Sequence, residues 1–376
     1  MPTMKLKTRQ EVEDFVRGCT FYATGGGGLP ANGIRSLMGE LEAGREVGWV
    51  DVNEIPDDAL SVCPFLMGSI APHSPETKAE MAGYGMTEAT SVNLEGDRLA
   101  KAILALGEYI GKKFDVVVPI ELAGANTPGP MAAASKLGMV TVDGDYTSRA
   151  IPEIVQITFN YQHKPILPVA SVDEWGDVCI IKEAINPRVI EKIGKLISVA
   201  GYGLAGQAGM VLDGKGLRET LIPGTLSECY AAGKLLREAK EAGKDPVQEL
   251  VAAIGGYELC RGTIAKKDDY DAIGYYWGTV TVDCGADEFK YWFKNENHIV
   301  WKNGEPYVTS PDIIAAIDTD TGEPVPNPLS YVGQHIALVG VPCKPQLDCQ
   351  ECYDVLTPKY FGYDIEHVSI REVMKK

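Results

Sequence analysis

Residues 121–153 read ELAGANTPGPMAAASKLGMVTVDGDYTSRAIPE, and this stretch decides the fold class. The apolar run at 114–120 just before it predicts a buried strand. A helix rich in small residues is expected from about Pro128, followed by a short strand at 139–142. The order strand, helix, strand is typical of an α/β sheet, in which ligands bind outside the carboxyl ends of the strands.

Polar side chains follow both predicted strands. Because the carboxyl ends of parallel strands meet at one edge of a sheet, we expect these side chains to share a cleft. The predicted catalytic residues are Glu121, Asp143, Asp145 and Arg149. Asn126 and Glu153 are predicted to bind the substrate.

Two of these residues, Asp145 and Arg149, also have a structural interpretation. A helix is expected over 147–153, and an aspartate before a helix is an ordinary N-cap, which would account for Asp145. Arg149 could clamp a substrate carbonyl or carboxylate, or it could hold Asp145 in an ion pair. The two acids of the DGD turn could divide acid and base roles or bind a metal.

The N-terminal region carries a run of glycines. A helix with a Thr8-x-x-Glu11 capping box precedes the run, and a second helix is expected from Pro30 to about residue 43. Backbone amides in such a loop could bind an anion or a polar heterocycle, or the loop could be a tight turn that packs closely. No lysine of the P-loop type follows, so no nucleotide is expected. The predicted substrate-binding glycines are Gly25, Gly26, Gly27 and Gly28.

The alternation of strands and helices predicts the architecture. Strands at 47–52 and 60–68 and a helix at 98–111 complete an α/β domain over residues 1–165, with a doubly wound, mostly parallel sheet. Residues 166–376 are expected to form a mixed second lobe. Its predicted helices lie at 187–199, 226–241 and 246–254, the second with a capping box at Thr225 and Glu228. Short alternating strands from residue 257 onward indicate a barrel or sandwich.

Other candidate residues lie outside the central stretch. His73 and Glu76 follow the strand at 60–68 and could serve as a base or a metal ligand, although a histidine in such a loop is more often merely exposed. Asn295 and Glu296 separate two aromatic strand segments, where polar residues are usually turn residues. Zinc could be held by His73, Asp143 and Asp145, or by Cys343, Cys349 and Cys352 with a fourth ligand. Free thiols are the alternative for these cysteines.

Composition excludes several classes of function. The formal net charge of −17 argues against a nucleic-acid partner, because phosphates would be repelled. The longest apolar runs are shorter than the about 20 residues of a membrane span, and no signal peptide is apparent, so a cytoplasmic enzyme is expected. Nine scattered cysteines fit reduced thiols.

Five strings in order carry a family resemblance: TGGGGLP, the 121–153 stretch, NEN, PDIIAAIDTDTGEP and FGYD. Over roughly residues 8–365 the chain resembles the S-methyl thiohydantoin desulfurase-like family, whose genes often lie beside hydantoinase-type genes. The resemblance implies a hydrolase that replaces the ring sulfur of a thiohydantoin by oxygen from water, leaving a hydantoin. It also makes the NEN string, and therefore Asn295 and Glu296, a candidate contribution to substrate binding.

Asp145 or Glu121 would be the base of such a reaction, with Asn126 and the glycine amides orienting the ring. A zinc-activated water is the second version. The alternative function is a non-catalytic subunit or ligand-binding partner of a hydantoinase- or oxoprolinase-type enzyme. A nucleotide-dependent amidohydrolase is a third, less favoured hypothesis. A homo-oligomer is expected in addition to the small-molecule substrate.

Overall fold

The computed structural model describes residues 3–68, 73–87, 90–91 and 95–375. The predicted fold class is confirmed: an α/β domain with a mixed sheet is followed by a lobe built on a curled, antiparallel half-barrel sheet. Within the described ranges, the helices are α1 Arg9–Tyr22, α2 Pro30–Glu42, α3 Pro75–Gly83, α4 Glu95–Ile110, α5 Pro128–Leu137, α6 Thr158–Tyr161, α7 Pro187–Ala200, α8 Gly214–Thr220, α9 Thr225–Glu241, α10 Pro246–Ile254, α11 Gln350–Leu356 and α12 Ile370–Val373.

The first sheet is parallel at its centre and antiparallel at both edges. Its strand order is β1-β2-β5-β4-β3-β9-β7-β8, and the neighbours among β2, β5, β4 and β3 are parallel. These strands are β1 Met4–Leu6, β2 Val47–Val50, β3 Leu60–Gly68, β4 Val116–Val117, β5 Val140–Val142, β7 Val169–Val172, β8 Val178–Ile181 and β9 Leu204–Asp213. β9 lies beyond residue 165 in the chain yet pairs with β3 in this sheet. The parallel centre places the carboxyl ends of β3, β4 and β5 at one edge, as the sequence predicted.

The second sheet is antiparallel, with strand order β15-β14-β13-β12-β11-β17-β16. Its strands are β11 Tyr257–Ala272, β12 Tyr275–Asp283, β13 Glu288–Lys294, β14 Glu296–Lys302, β15 Glu305–Thr309, β16 Ile313–Asp318 and β17 His335–Val341. A small pair, β6 Gly144–Asp145 with β10 Ile222–Pro223, lies outside both sheets. The alternating pattern that predicted these strands reflects side chains that point in turn to the core and to the outside.

Helices α1 and α9 pack against each other and link the two domains. The Thr8–Glu11 capping box at the start of α1 is confirmed. A Cβ added at Gly18 would lie 1.7 Å from the carbonyl oxygen of Cys229, and one at Gly233 would lie 1.8 Å from that of Asp14. Only glycine permits this close approach of the two backbones. Since the glycine loop follows directly after α1, the packing of α1 on α9 fixes where that loop begins.

Two local predictions were wrong. Residues 147–153 form bends and irregular structure rather than a helix. The N-cap of α9 is Gly224, without a side-chain hydrogen bond, so the predicted capping box of Thr225 and Glu228 is absent. Asp143 supplies the acceptor for this helix instead, because its Oδ1 accepts the amide hydrogens of Leu226 and Ser227 at 3.0 and 3.1 Å.

No helix in the described ranges has the length and apolar character needed to cross a membrane.

Candidate active site

A cavity of about 110 Å³ lies where the carboxyl end of β3 meets the glycine loop and the β13–β14 turn. Sites for drug-sized ligands measure about 300–1,000 Å³, so this volume suits a small molecule. Both domains contribute to the wall. The polar side chains that line it are Asn32, Glu121, Asn126, Glu153, Glu191, Lys195, Tyr276, Asn295 and Glu296.

Glu121 lies at the floor of the cavity, just after β4, and is 3% exposed. Its Oε1 accepts a hydrogen bond from Asn126 Nδ2 at 2.7 Å, and its Oε2 accepts one from the amide of Ile151 at 2.8 Å. Burial raises the pKa of Glu121 to about 7, and these two hydrogen bonds oppose the rise. A carboxyl group that titrates near neutrality can take a proton and return it at the working pH.

Asn126 holds Glu121 in place. Its Oδ1 accepts the amide hydrogen of Leu66 at 2.7 Å, and its Nδ2 also donates to the Leu66 carbonyl at 3.3 Å. Because the amide group is engaged with the end of β3 and with Glu121 at the same time, its main contribution is to orient the carboxylate. The structure thus brings Glu121 and Asn126 together, as expected from their positions after the first strand.

Glu296 is the second buried carboxyl group of the cavity, and it comes from the other domain. Asn295 adopts a positive φ of 58° in the turn between β13 and β14, and Glu296 follows it, 1% exposed. Its Oε2 is buried without a hydrogen-bond partner among the described residues. Burial raises the pKa of Glu296 well above its usual range, and the charge of Glu121 raises it further. Burial therefore favours the protonated form of Glu296, which is the form that can donate a proton.

The glycine loop forms the wall beside Glu296. A Cβ added at Gly26 would lie 1.9 Å from Glu296 Oε1, and one at Gly27 would lie 2.3 Å from Ala123 Cβ. The carbonyl of Gly27 accepts the amides of Ala125 and Asn126 at 3.1 and 3.2 Å. In the described part of the chain, the amides of Gly27 and Gly28 have no hydrogen-bond partner. The loop therefore combines both interpretations: it packs closely, and it leaves donors free at the cavity.

We expect Gly26→Ala to lower turnover by at least about tenfold without unfolding the protein, because the new methyl group must displace the Glu296 carboxylate. Gly26 does not require a positive φ, so the backbone accepts alanine. The matched control is Gly39→Ala in α2, where an added Cβ meets nothing within 4 Å. Steady-state kinetics and thermal unfolding of both variants check this prediction, and unchanged turnover in Gly26→Ala would contradict it.

A charged wall faces these two acids. Lys195 on α7 is 8% exposed, and its Nζ donates to the Gly274 carbonyl at 3.2 Å and lies 3.9 Å from Glu191 Oε1. Burial lowers the pKa of Lys195, while the charge of Glu191 opposes this effect. Glu191 also accepts hydrogen bonds from the Tyr275 hydroxyl at 3.1 Å and the Ile154 amide at 2.9 Å. An ammonium group has three hydrogens, so Lys195 can donate further hydrogen bonds in addition to the one that it donates to Gly274.

Glu153 closes this wall on the outer side. Its carboxylate is paired with Lys294 Nζ and accepts a hydrogen bond from the Tyr360 hydroxyl at 2.5 Å. Lys294 lies 4.0 Å from the centre of the Tyr275 ring, whose other neighbour, Lys195, lies 4.3 Å from it. Glu153, predicted to bind substrate, therefore lines the cavity within a network of ion pairs.

Asp145, a predicted catalytic residue, lies outside the cavity lining, whereas Asn295 lies within it. Asp145 Oδ2 accepts the amides of Thr147 and Ser148 at 2.9 and 2.7 Å, and its Oδ1 accepts from Thr225 Oγ1 at 2.8 Å. Burial raises the pKa of Asp145 to about 7. Its hydrogen bonds organise the turn that replaces the expected helix and tie it to the start of α9.

Four more predicted residues also lie outside the cavity lining: Arg149, Asp143, Glu76 and His73. The buried guanidinium of Arg149 donates to the carbonyls of Pro311 and Asp312 at 3.1 and 3.0 Å and so fastens the two domains together. Glu76 is an exposed first-turn residue of α3, and His73 is half-buried just before it. Residues 69–72, part of the same sequence run, lie outside the described residues.

No group of three or more His, Cys, Asp or Glu side chains that could hold a metal ion is found in the described ranges. The cysteines are free thiols there, including Cys343, Cys349 and Cys352.

Glu191 and Lys195 line the cavity but were not predicted from the sequence as site residues. They are separated by one helical turn on an amphipathic helix, a spacing that is usual for exposed ion pairs. A signal was nevertheless present, because Glu191, Gly194 and Ser198 continue the buried face of α7, and polar residues on such a face deserve a functional explanation.

Two family models match the chain in succession. The model described as S-Me-THD-like, N-terminal domain, matches residues 10–183, and that described as S-Me-THD-like, C-terminal domain, matches residues 185–370. The fold is similar to the crystal structure of a structural-genomics target from Chromobacterium violaceum, with a TM-score of 0.80 and 21% identity over 98% of this chain and 100% of that one. No curated protein matches the chain significantly. Since the two domain models together span almost its whole length, the chain belongs to the S-methyl thiohydantoin desulfurase-like family.

Proposed function

We propose that the protein is a hydrolase that converts an S-methyl thiohydantoin and water into a hydantoin and methanethiol. The observation that carries this proposal is that two of the three buried carboxyl groups lining one small cavity, Glu121 and Glu296, come from different domains. Two acids whose environments give them different pKa values can act as base and acid in the same reaction. The family's name supports the choice of substrate.

In the first step, water attacks the ring carbon that carries the S-methyl group. Glu121, as a carboxylate, takes a proton from the water as the new C–O bond forms. The C=N double bond of the ring opens to a single bond, and its nitrogen takes a proton from Glu296. The result is a neutral tetrahedral intermediate that carries OH and S-methyl on the same carbon.

In the second step, the C–S bond breaks and the C=O bond of the hydantoin forms. Glu296, now a carboxylate, takes the hydroxyl proton, and Glu121 gives its proton to the departing sulfur, which leaves as methanethiol. Both carboxyl groups then have their original protonation. Lys195 would stabilise negative charge as it develops on sulfur, and the free amides of Gly27 and Gly28 would bind a ring carbonyl.

The expected pH dependence follows from the raised pKa of each of the two carboxyl groups. We expect kcat/KM to rise as the pH increases through about 7, where Glu121 loses its proton and becomes the base. At higher pH it should fall as Glu296, whose pKa burial raises well above its usual range, loses the proton that it must donate. A pH–rate profile between about pH 5 and 10 checks this bell shape. A rate that decreases steadily from pH 5 upward would contradict the assignment.

The function itself is tested by thiol release. Purified protein is incubated with an S-methyl thiohydantoin, and methanethiol is measured with a thiol reagent beside the hydantoin by chromatography. We expect equal amounts of both products and none from heat-unfolded protein. Tight binding of the ring without turnover would instead favour the ligand-binding partner of a hydantoinase-type enzyme.

A further inference from the structure

A groove of about 800 Å³ lies where α9, α10 and α12 meet the start of β16 and the end of β17. This α9–α10 groove shares no lining residue with the cavity of the candidate active site. Most of its lining is apolar and includes Leu235 of α9, Ile254 of α10, Val341 of β17 and Met374 just after α12. Its volume is within the range of sites for drug-sized molecules, about 300–1,000 Å³.

Tyr22, the last residue of α1, lines the groove with a polar group that has no partner. It is 5% exposed, and its hydroxyl makes no hydrogen bond in the described part of the chain. Burial raises the pKa of Tyr22, and the neighbouring Cys229 and Glu228 raise it further, so the hydroxyl keeps its proton. An unpaired buried donor is costly, and an oxygen of a ligand in the groove would satisfy it.

The charged side chains of the groove are mainly cationic, although the whole chain has a formal net charge of −17. Lys344, Arg371 and Lys375 line the groove together with a single carboxylate, Glu228. Lys344 Nζ is paired with Glu228 Oε1 at 2.5 Å, and Arg371 Nη1 lies 4.0 Å from Asp348, which is outside the lining. Because the cations outnumber the carboxylate, the groove attracts an anion.

The polar and apolar groups of the groove are separated along α9. Glu228 lies in the first turn of this helix, paired with Lys344 and close enough to Tyr22 to raise its pKa. The lining then continues along the helix through Ala231 to Leu235. From Glu228 to Leu235 the helix rises about 10 Å, at 1.5 Å per residue. This arrangement fits a molecule with an anionic head and an aliphatic chain of medium length.

We propose that the α9–α10 groove is a binding site for an aliphatic carboxylate, with its head at Tyr22 and Lys344 and its chain against Leu235 and Ile254. The Tyr22 hydroxyl donates to the carboxylate, and Lys344 has hydrogens left beyond the one directed at Glu228. The chain contributes affinity because its methylene groups leave water. The site lies apart from the cavity and does not depend on the proposed function.

Titration calorimetry on the full chain tests the ligand class. The probes are octanoate, the uncharged 1-octanol and the short carboxylate propionate, each below the concentration at which it forms micelles. We expect octanoate to bind at least about fivefold more tightly than 1-octanol, and propionate not to bind measurably. Tyr22→Phe, which removes only the hydroxyl, should weaken octanoate binding about tenfold or more.

Two neighbouring alanines of α10 provide a matched pair of variants that tests the location. Ala252 and Ala253 are both exposed, but only Ala253 lines the groove. We expect Ala253→Phe to abolish octanoate binding without lowering the temperature of thermal unfolding, and Ala252→Phe to bind like wild type. Absence of octanoate binding, equal affinity for octanoate and 1-octanol, or wild-type affinity in Ala253→Phe or in Tyr22→Phe would overturn the site.

Discussion

Glu121→Gln is expected to lower the rate of desulfurisation about 10²- to 10⁴-fold while leaving the protein folded. Glutamine has nearly the same shape and keeps an oxygen that can accept the amide hydrogen of Ile151. It cannot take a proton from water, so the attacking water loses its base. Because burial disfavours the charged form of Glu121, a neutral amide at this position should not destabilise the fold strongly. Thiol release under steady-state conditions measures the rate of desulfurisation. Circular dichroism and thermal unfolding show whether the variant is folded and how stable it is.

Asp145→Asn is the matched control for this variant. Asp145 is also a fully buried carboxyl group whose pKa is raised to about 7, but it does not line the cavity. The asparagine oxygen can keep the hydrogen bonds to the amides of Thr147 and Ser148, so folding should persist at a cost of about 1–2 kcal/mol. We expect turnover within about threefold of wild type. The reverse result, with Asp145→Asn inactive and Glu121→Gln active, would move the base to the DGD turn.

Glu296→Gln is expected to produce the second-largest loss, about 10²-fold or more in kcat. The glutamine side chain can still donate a hydrogen bond to a ring nitrogen, so KM should change little. It cannot transfer a proton, and the tetrahedral intermediate then forms without its acid. The pH–rate profile provides a second readout, since the fall at high pH should disappear with the group that causes it.

Glu296→Asp distinguishes a role of Glu296 in proton transfer from a role in packing. Aspartate keeps the carboxyl group but is shorter by one methylene, so we expect it to recover part of the lost rate and restore the fall at high pH. A Glu296→Gln protein with unchanged kcat and an unchanged high-pH limb would show that this carboxyl group is not the acid.

The main elements of the fold were predictable because each has a strong local signal. The capping box of α1, the apolar run of β3 and the small-residue helix α5 all lie close to where the sequence put them. The antiparallel edge formed by β9 was not predictable, since the pairing of β9 with β3 depends on contacts between residues more than a hundred positions apart. Hydrophobic runs specify a strand but not its neighbour.

The site was predictable only in part, because an acidic residue that follows a strand can either face a binding site or hold a turn through its hydrogen bonds. Glu121 and Asp145 follow neighbouring strands and look equivalent in sequence. In the structure, Asp145 is surrounded by donors from its own turn and from Thr225, whereas Glu121 faces the cavity with Glu296 beyond it. Glu296 itself was placed among substrate-binding candidates from the family resemblance. Its burial, and hence its raised pKa, depends on how the second domain packs over the glycine loop.

We propose that water supplies the oxygen that replaces sulfur in the ring, and the most direct test is to trace where that oxygen comes from. Wild-type protein is incubated with an S-methyl thiohydantoin in water enriched in ¹⁸O, and the hydantoin and methanethiol are quantified by mass spectrometry. We expect one ¹⁸O atom in each hydantoin at the former sulfur-bearing carbon and one methanethiol released per hydantoin, with both products formed at least about 10²-fold more slowly by Glu121→Gln. Methanethiol release without ¹⁸O in the ring, or folded protein that binds the ring and releases nothing, would contradict it.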